Sequence, residues 1–280
     1  MCSAKVLRVL VIGGCHTYGY GIEYGHGFVQ RMITDWERSG MSVNVDYFAP
    51  TKIRKAVQLL SQHPELPSQY DLILLQLGHF ELMARSFLSL FSRNTDYNNA
   101  MYGKFSEVID KQLEPTDVLH LHSLLPDKDD CLRKKSLTEL KFHVWSWAKS
   151  IFLRIYSSVK KPTYLEEVEE QLKQVSFLLK KYASRVVFIS PFPTADPLTN
   201  HLRQWGGLQV KREAEEQGFG VLDLYELLSR NPDCILADGA HLNEMGHYLV
   251  WLRLQKWLKT NRFDIAQTPK NFFNYQLHTN

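Results

Sequence analysis

A cysteine at the end of an apolar run is the first residue in this sequence whose type and position suit nucleophilic chemistry. The segment "VLVIGGCHTYGYG" predicts a β-strand that ends in Gly13 and Gly14, with Cys15 directly after them. A cysteine there lies near backbone N–H groups and the positive end of a following helix or turn, and both stabilise a thiolate. The alternative is that Cys15 is a small buried apolar residue, and its position alone does not decide between the two.

An aspartate and a histidine near the other end of the chain could serve that cysteine. Asp238 and His241 lie three residues apart in "DGAHLNEMGH", in a predicted loop before the last predicted helix. A nucleophile needs a base, and the base needs a carboxylate to orient it, so one loop could supply both. Taken alone the spacing is also explained by a helix-capping aspartate beside a surface histidine.

The two segments together resemble the SGNH, or GDSL-type, hydrolase superfamily. The first block of that family, G-D-S-x-T-x-G, corresponds here to "GGCHTYG", with Gly14 at the aspartate position and Cys15 at the serine position. The last block of the family is similar to "DGAHLNEMGH", and the matching residues are Asp238, Gly239, His241, Asn243, Gly246 and His247. The resemblance spans the chain apart from a long insertion and the C-terminal tail.

The resemblance implies a catalytic triad of Cys15, His241 and Asp238 that forms an acyl-thioenzyme. In this interpretation His241 removes the thiol proton and later activates the acceptor, while Asp238 orients the imidazole. The implied activity is that of an esterase, thioesterase or acyltransferase acting on a small-molecule ester, thioester or acyl substrate. No cofactor and no metal are implied.

The residues expected to stabilise the oxyanion depart from the family pattern. "GHFE" after the third predicted strand resembles the G-x-N-D block, but Phe80 stands at the asparagine and Glu81 at the aspartate. The glycine of the second block falls near Ala49-Pro50, and a proline has no N–H to donate. Losing one oxyanion donor typically costs about 2.7–4 kcal/mol of transition-state stabilisation. These departures support an alternative, a binding module that has lost hydrolase activity.

Six further residues are candidates for oxyanion or substrate binding: Gly14, His16, Gly78, His79, Phe80 and Glu81. For the histidines His16 and His79, a hydrogen-bonding role beside the site is favoured over direct participation in the chemistry.

The order of elements predicts an α/β fold. Apolar strands alternate with amphipathic helices along the chain, which is typical of a parallel sheet covered on both faces. We expect a three-layer α/β/α domain with a mostly parallel five-stranded sheet, similar to SGNH and flavodoxin-like folds. Ligands of such sheets bind beyond the carboxyl ends of the strands, where Cys15, "GHFE" and "SPFP" all lie.

The expected domain organisation is a single domain over residues 1–263, a helical insertion over about 84–162 and a polar tail over 264–280. Aromatic and basic residues are interleaved in the insertion, in "KFHVWSWAKSIFLRIYSSVKK". A lid over the site is the favoured interpretation, and docking of an acidic acyl-carrier protein or contact with a membrane surface are the alternatives. His120 and His122 in "LHLH" have the spacing of two metal ligands, but without an evident third ligand an interior role is favoured.

Composition excludes several other classes of protein. A net charge of +3 over 280 residues is too small for a typical nucleic-acid-binding protein. The 4 cysteines form no C-x-x-C pair, which argues against a disulfide framework and a thiolate zinc site. No G-x-G-x-x-G or P-loop motif indicates a nucleotide cofactor. With no predicted signal peptide or membrane-spanning segment, a cytoplasmic location is expected and membrane contact is not.

Overall fold

Five parallel strands form a single sheet at the centre of the protein. The computed structural model describes residues 6–83 and 163–261. Its strands are β1 (Val6–Gly13), β2 (Ser42–Phe48), β3 (Leu72–Gln76), β4 (Val186–Ile189) and β5 (Gly220–Leu222). They lie in the order β2-β1-β3-β4-β5, and every neighbouring pair is parallel. The predicted five-stranded α/β architecture is confirmed.

Helices cover both faces of this sheet. They are α1 (Cys15–Tyr18), α2 (Phe28–Arg38), α3 (Ile53–Gln62), α4 (Thr163–Leu179), α5 (Pro197–Gln217), α6 (Tyr225–Ser229) and α7 (Glu244–Thr260), with 3-10 turns at Leu66–Gln69, Lys180–Arg185 and Pro232–Cys234. Helices α3, α4 and α5 pack on one face, and α2 and α7 pack on the other. The result is the three-layer α/β/α arrangement expected from the sequence.

The two-residue period of the central strands divides the core between the two faces. In β1, Leu10 and Ile12 point towards α3, α4 and α5, whereas Val9 and Val11 point towards α2 and α7. All four side chains are at most 3% exposed. Because both faces are covered, the strand is apolar along most of its length rather than alternating with polar residues.

The segment "TKIRKAVQLLSQH" predicts a helix with Thr51 available as its cap, but the start of α3 differs from this prediction. The residue before the first helical position is Lys52, and no side chain of the capping residue bonds to the helix. The N–H of Ile53 donates instead to Glu81 Oε1 at 2.7 Å. Glu81, in the loop after β3, thus takes the capping role predicted for Thr51. Its negative charge interacts favourably with the positive end of the helix dipole.

Several sequence-based expectations concern residues outside the described ranges. The insertion over 84–162, its lid role, the "LHLH" segment and the tail over 264–280 therefore stay predictions. Within 6–83 and 163–261, the helices include none with the length and apolar character needed to cross a membrane.

Candidate active site

The turn from β1 into α1 places Cys15 at the carboxyl end of β1. Gly14 precedes the helix and Cys15 is its first residue. Thr17 folds back on this turn, and its Oγ1 donates to the carbonyl of Gly14 at 2.7 Å. A Cβ on Gly13 would lie 2.5 Å from Thr17 Cγ2, so only glycine fits there without displacing the threonine.

The loop before α7 holds Asp238 and His241 in a closed turn. Asp238 Oδ1 accepts from the N–H of Ala240 at 2.8 Å and from that of His241 at 3.0 Å. Gly239 between them has a φ of +71°, in the left-handed region that favours glycine. An isolated antiparallel bridge between Ile235 and Leu242 closes the base of the loop.

The structure brings the three predicted triad residues into hydrogen-bonding contact. His241 Nε2 lies 3.1 Å from Cys15 Sγ, and His241 Nδ1 lies 2.6 Å from Asp238 Oδ2. Cys15 is 6% exposed and His241 is 8% exposed, so both are largely withdrawn from solvent. The arrangement has the order nucleophile, base, orienting carboxylate that proton abstraction from a thiol requires.

The electrostatics of the site favour charge on His241 and on Asp238. Burial alone would lower the pKa of the His241 imidazole, but the Cys15 thiolate and Asp238 outweigh burial and raise it to about 10. Burial would raise the pKa of Asp238, but its hydrogen bonds and the charge of His241 lower it to about 2. An imidazolium at His241 therefore faces a carboxylate at Asp238.

Two backbone N–H groups near the turn that holds Cys15 are committed to other bonds. The N–H of Gly14 donates to the carbonyl of Gln76 at 3.2 Å, and that of Thr51 donates to the carbonyl of Gly13 at 2.8 Å. The N–H of Cys15 is different because the first residue of a helix has no acceptor within the helix. This N–H belongs to the same residue as the sulfur.

The segment Gly78–Glu81 follows β3 and lies beside Gly14. Gly78 has a φ of +92°, which turns the chain sharply after the strand. A Cβ on Gly14 would lie 3.6 Å from Phe80 Cε2, so the aromatic ring is next to the nucleophile's turn, where the family resemblance predicts a polar amide. Glu81 is directed towards the start of α3, as described above, and burial raises the pKa of its carboxyl.

His16 and His79 are buried beside the ring of His241. His16 is 1% exposed, and its ring centroid lies 5.4 Å from that of His241 and 4.7 Å from that of His79. His79 Nε2 accepts from the N–H of Phe192 at 3.2 Å. Burial, then neighbouring positive charge, lowers the pKa of both rings well below the usual range, so both are neutral at pH 7.

Three further side chains of this region were not predicted as site residues. Tyr20 packs its ring on His241, with centroids 4.3 Å apart. His247 is fully buried and accepts from the N–H of Phe28 through Nδ1 at 3.3 Å. Arg203, on α5, donates to the carbonyl of Phe192 at 3.0 Å. The motifs contain Tyr20 and His247, but no local pattern marks Arg203, which reaches the site only through the packing of α5.

The described residues contain one group whose side chains could share a metal ion. Glu23, His26 and Glu244 have ligand atoms within 4.8 Å of one another. His26 Nδ1 lies 3.1 Å from Glu244 Oε2, and both side chains are more than a third exposed. This geometry is accounted for by an ordinary surface ion pair.

Comparison with solved structures gives the fold. The protein is similar to a lipase from a goat rumen metagenome (TM-score 0.53, 15% identity, 90% of this chain and 97% of that chain). It is also similar to a lipase/acylhydrolase from Enterococcus faecalis (TM-score 0.51, 11% identity, 91% and 96%). A third is the acetylxylan esterase Axe2 from Geobacillus stearothermophilus (TM-score 0.51, 15% identity, 90% and 94%).

The chain has the α/β fold of the SGNH hydrolases. No protein-family model and no curated protein matches its sequence. At 11–15% identity the likeness concerns the fold alone. The contacts among Cys15, His241 and Asp238 are observed in the structure of this chain and are not inferred from the comparison.

Proposed function

We propose that this protein is an acyl-transferring or acyl-hydrolysing enzyme that acts through a Cys15 acyl-thioenzyme. One observation carries the proposal: His241 Nε2 lies 3.1 Å from Cys15 Sγ while its Nδ1 lies 2.6 Å from Asp238. A buried imidazole with these two contacts can remove a thiol proton and is held in one orientation while it does so.

Acylation follows directly from these positions. His241 takes the proton of the Cys15 thiol, and the sulfur attacks the acyl carbon as the carbonyl π pair moves to oxygen. The Cys15 N–H donates to that oxyanion. When the carbonyl re-forms, the bond to the leaving group breaks, and the imidazolium returns the proton to the leaving group.

Deacylation reverses these roles with a second nucleophile. His241 removes a proton from water or another acceptor, which attacks the acyl carbon of the Cys15 thioester. The Cys15 thiolate then leaves and regains a proton from His241. Hydrolysis results if the acceptor is water, and acyl transfer results if it is an alcohol, amine or thiol.

Active-site labelling tests the proposal. Incubating the full chain with activated esters or thioesters, then quenching in acid, is expected to add one acyl mass to the peptide that contains Cys15. His241→Ala should abolish the adduct, whereas His63→Ala, which changes an exposed histidine, should not. Labelling at another residue, or none, would contradict the nucleophile assignment.

A binding module without turnover is the second candidate function, favoured by Phe80 at the position expected for an oxyanion-binding asparagine. For such a module, Cys15→Ala would leave biological function intact. Loss of function in a Cys15→Ala protein with an unchanged circular dichroism spectrum and thermal midpoint would support the enzyme instead.

The proposed substrates are small-molecule esters, thioesters or other acyl compounds, with an acyl-carrier protein as a further candidate donor. The thiols of Cys15 and Cys234 are free and buried. Because a nucleophilic thiol must stay reduced to act, we propose the cytoplasm as its location.

A further inference from the structure

The groups around the Cys15 sulfur offer little help to an oxyanion. A phenyl ring edge, Phe80 Cε2, lies 3.6 Å from the Cβ position of Gly14. The N–H groups of Gly14 and Thr51 are bonded to backbone carbonyls, and Pro50 has no N–H. Among residues 6–83 and 163–261, the Cys15 N–H is thus a donor without the side-chain amide that the family resemblance predicts beside it.

His79 and Glu81 do not replace the missing amide. The ring of His79 accepts from the N–H of Phe192 at 3.2 Å through Nε2, and its Nδ1 is buried from solvent; the residue is 2% exposed. The carboxyl group of Glu81 accepts from the N–H of Ile53, and a carboxylate would repel an oxyanion. The polar side chains of this loop therefore act in the scaffold, and the reaction must make a modest demand on oxyanion stabilisation.

The leaving group decides whether a cysteine nucleophile can succeed under that restriction. When a thiolate adds to an alkyl oxoester, the intermediate holds a sulfur and an alkoxide as competing leaving groups. The sulfur leaves far more readily, so the intermediate returns to reactants unless the alkoxide is protonated and the oxyanion is long-lived. When a thiolate adds to a thioester, both leaving groups are thiolates of similar basicity, and collapse proceeds in either direction.

We propose that the acyl donor of this site is a thioester rather than an oxoester. This inference rests on the proposed function and narrows its substrate class. The thiol-for-hydroxyl change at Cys15 and the ring of Phe80 beside Gly14 act together. The sulfur of Cys15 leaves more readily than an alkoxide and so disfavours acylation by an oxoester, and the ring withholds the donor that an oxoester needs.

The proposed step is a balanced exchange of one thioester for another. The Cys15 S–C bond forms while the C–S bond to the donor thiol breaks, and no oxidant or reductant takes part. The proton of the Cys15 thiol passes to His241 and from there to the departing thiolate. The acyl group therefore passes from the donor thioester to a Cys15 thioester of similar energy, where it stays until it is transferred to an acceptor.

A matched pair of donors tests the inference. The full chain is mixed with the octanoyl thioester of N-acetylcysteamine or with the octanoyl ester of N-acetylethanolamine, which differ in one atom. The rate at which the Cys15 peptide gains an octanoyl group is followed by rapid quench and mass spectrometry. The thioester is expected to react at least about 100-fold faster, the factor that one missing oxyanion donor produces.

Two variants at one position separate the role of the oxyanion site from intrinsic reactivity. Phe80→Asn supplies an amide, and we expect it to reduce the thioester-to-oxoester ratio by about tenfold or more by accelerating the oxoester reaction. Phe80→Leu removes the ring without supplying a donor, so its ratio should stay near that of the unchanged protein.

The outcomes distinguish this inference from the proposed function. Acylation of Cys15 by the oxoester within a factor of about ten of the thioester rate would overturn the thioester assignment and leave the nucleophile assignment standing. An unchanged ratio in Phe80→Asn, with the variant folded, would overturn the role given to Phe80. Failure of both donors to acylate Cys15 would overturn the thioester assignment and the proposed function together.

Discussion

The carboxylate of Asp238 has two separate tasks at the residue scale. Its Oδ1 accepts from the N–H groups of Ala240 and His241, and its Oδ2 contacts His241 Nδ1 at 2.6 Å. An asparagine can keep the first pair of bonds, but it carries no charge to stabilise an imidazolium. The loop and the electrostatics can therefore be separated by one substitution.

Asp238→Asn is expected to leave the fold intact and to reduce the rate of Cys15 acylation by roughly 1,000-fold or more, as for loss of the charge in comparable triads. Quenched-flow mass spectrometry of the Cys15 peptide measures this rate. The control is Asp233→Asn, an exposed residue nearby. If Asp238→Asn keeps more than about a tenth of the rate, the carboxylate charge has no part in the chemistry.

Protonation of His241 depends on the sulfur beside it. After burial, which lowers the pKa of His241, the Cys15 thiolate is the largest influence, and it raises the pKa. Nitrogen-15 NMR of the histidine rings should show His241 protonated at pH 8, and deprotonating at a lower pH in Cys15→Ala. A titration of His241 unchanged by Cys15→Ala would contradict the ion pair.

The proximity of Cys15, His241 and Asp238 was predictable from sequence, whereas their surroundings were not. The three residues lie in two motifs that resemble the first and last blocks of one family, and the structure places them in contact. Glu81 could not be assigned in this way, because it caps α3 from 28 residues away. Sequence patterns reveal local capping partners, and Thr51 was the local choice.

At the scale of elements, the loop after β3 is positioned by its fit against α5. A Cβ on Gly206 would overlap the Cδ1 methyl of Leu82, a residue that is 1% exposed. A Cβ on the adjacent Gly207 would lie 3.8 Å from Ser190 Cβ, an ordinary contact. These adjacent glycines of one helix therefore differ in the space around them.

Gly206→Ala is expected to lower the free energy of unfolding by about 1–3 kcal/mol through overpacking, and to slow Cys15 acylation by shifting the Gly78–Glu81 loop. Gly207→Ala should be neutral or stabilising by up to about 1 kcal/mol, because alanine favours a helix. Urea unfolding measures both. A Gly206→Ala protein at least as stable as Gly207→Ala would show that Leu82 moves aside freely.

The strands and most helices were predictable because their sequences are consistent with the three-layer arrangement. The apolar runs of β1 and β3 indicate strands covered on both faces, as observed. The seating of Leu82 against Gly206 was not predictable, because it joins a loop after β3 to a helix more than 100 residues later. Such contacts depend on tertiary packing and leave no local period in the sequence.

At the scale of the whole molecule, the buried histidines make stability depend on pH. The pKa values of His16, His79 and His247 are lowered, chiefly by burial, and that of His247 falls to about 3. In the unfolded chain these histidines bind protons with a pKa near 6.5, whereas in the folded protein they stay neutral at that pH. The free energy of unfolding therefore decreases as pH falls below 6.5, by up to about 1.4 kcal/mol per pH unit for each ring.

His241 acts in the opposite direction, since its pKa is raised to about 10. Its contribution to stability is complete below pH 6.5, the unfolded value, and is lost as pH rises towards 10. Urea midpoints between about pH 4.5 and 9 should therefore pass through a maximum near neutrality.

The share of His247 in the acid limb can be measured separately. Below pH 6.5, the slope of the unfolding free energy against pH reflects the number of protons taken up on unfolding. His247→Gln should reduce that number by about one, whereas His63→Gln, which changes an exposed histidine, should leave it unchanged. The slopes come from urea titrations at closely spaced pH values. An acid slope in His247→Gln equal to that of the unchanged protein would contradict a neutral buried His247.

The contact between Cys15 and His241 joins residues that are 226 positions apart. During synthesis Cys15 therefore leaves the ribosome long before His241 has been added to the chain. Until then the Cys15 thiol has no histidine partner and behaves as an ordinary cysteine. Only the docking of α7 and its preceding loop at the other end completes the pair. The reactive state is thus a property of the finished molecule, and an incomplete or unfolded copy cannot capture acyl groups by this route.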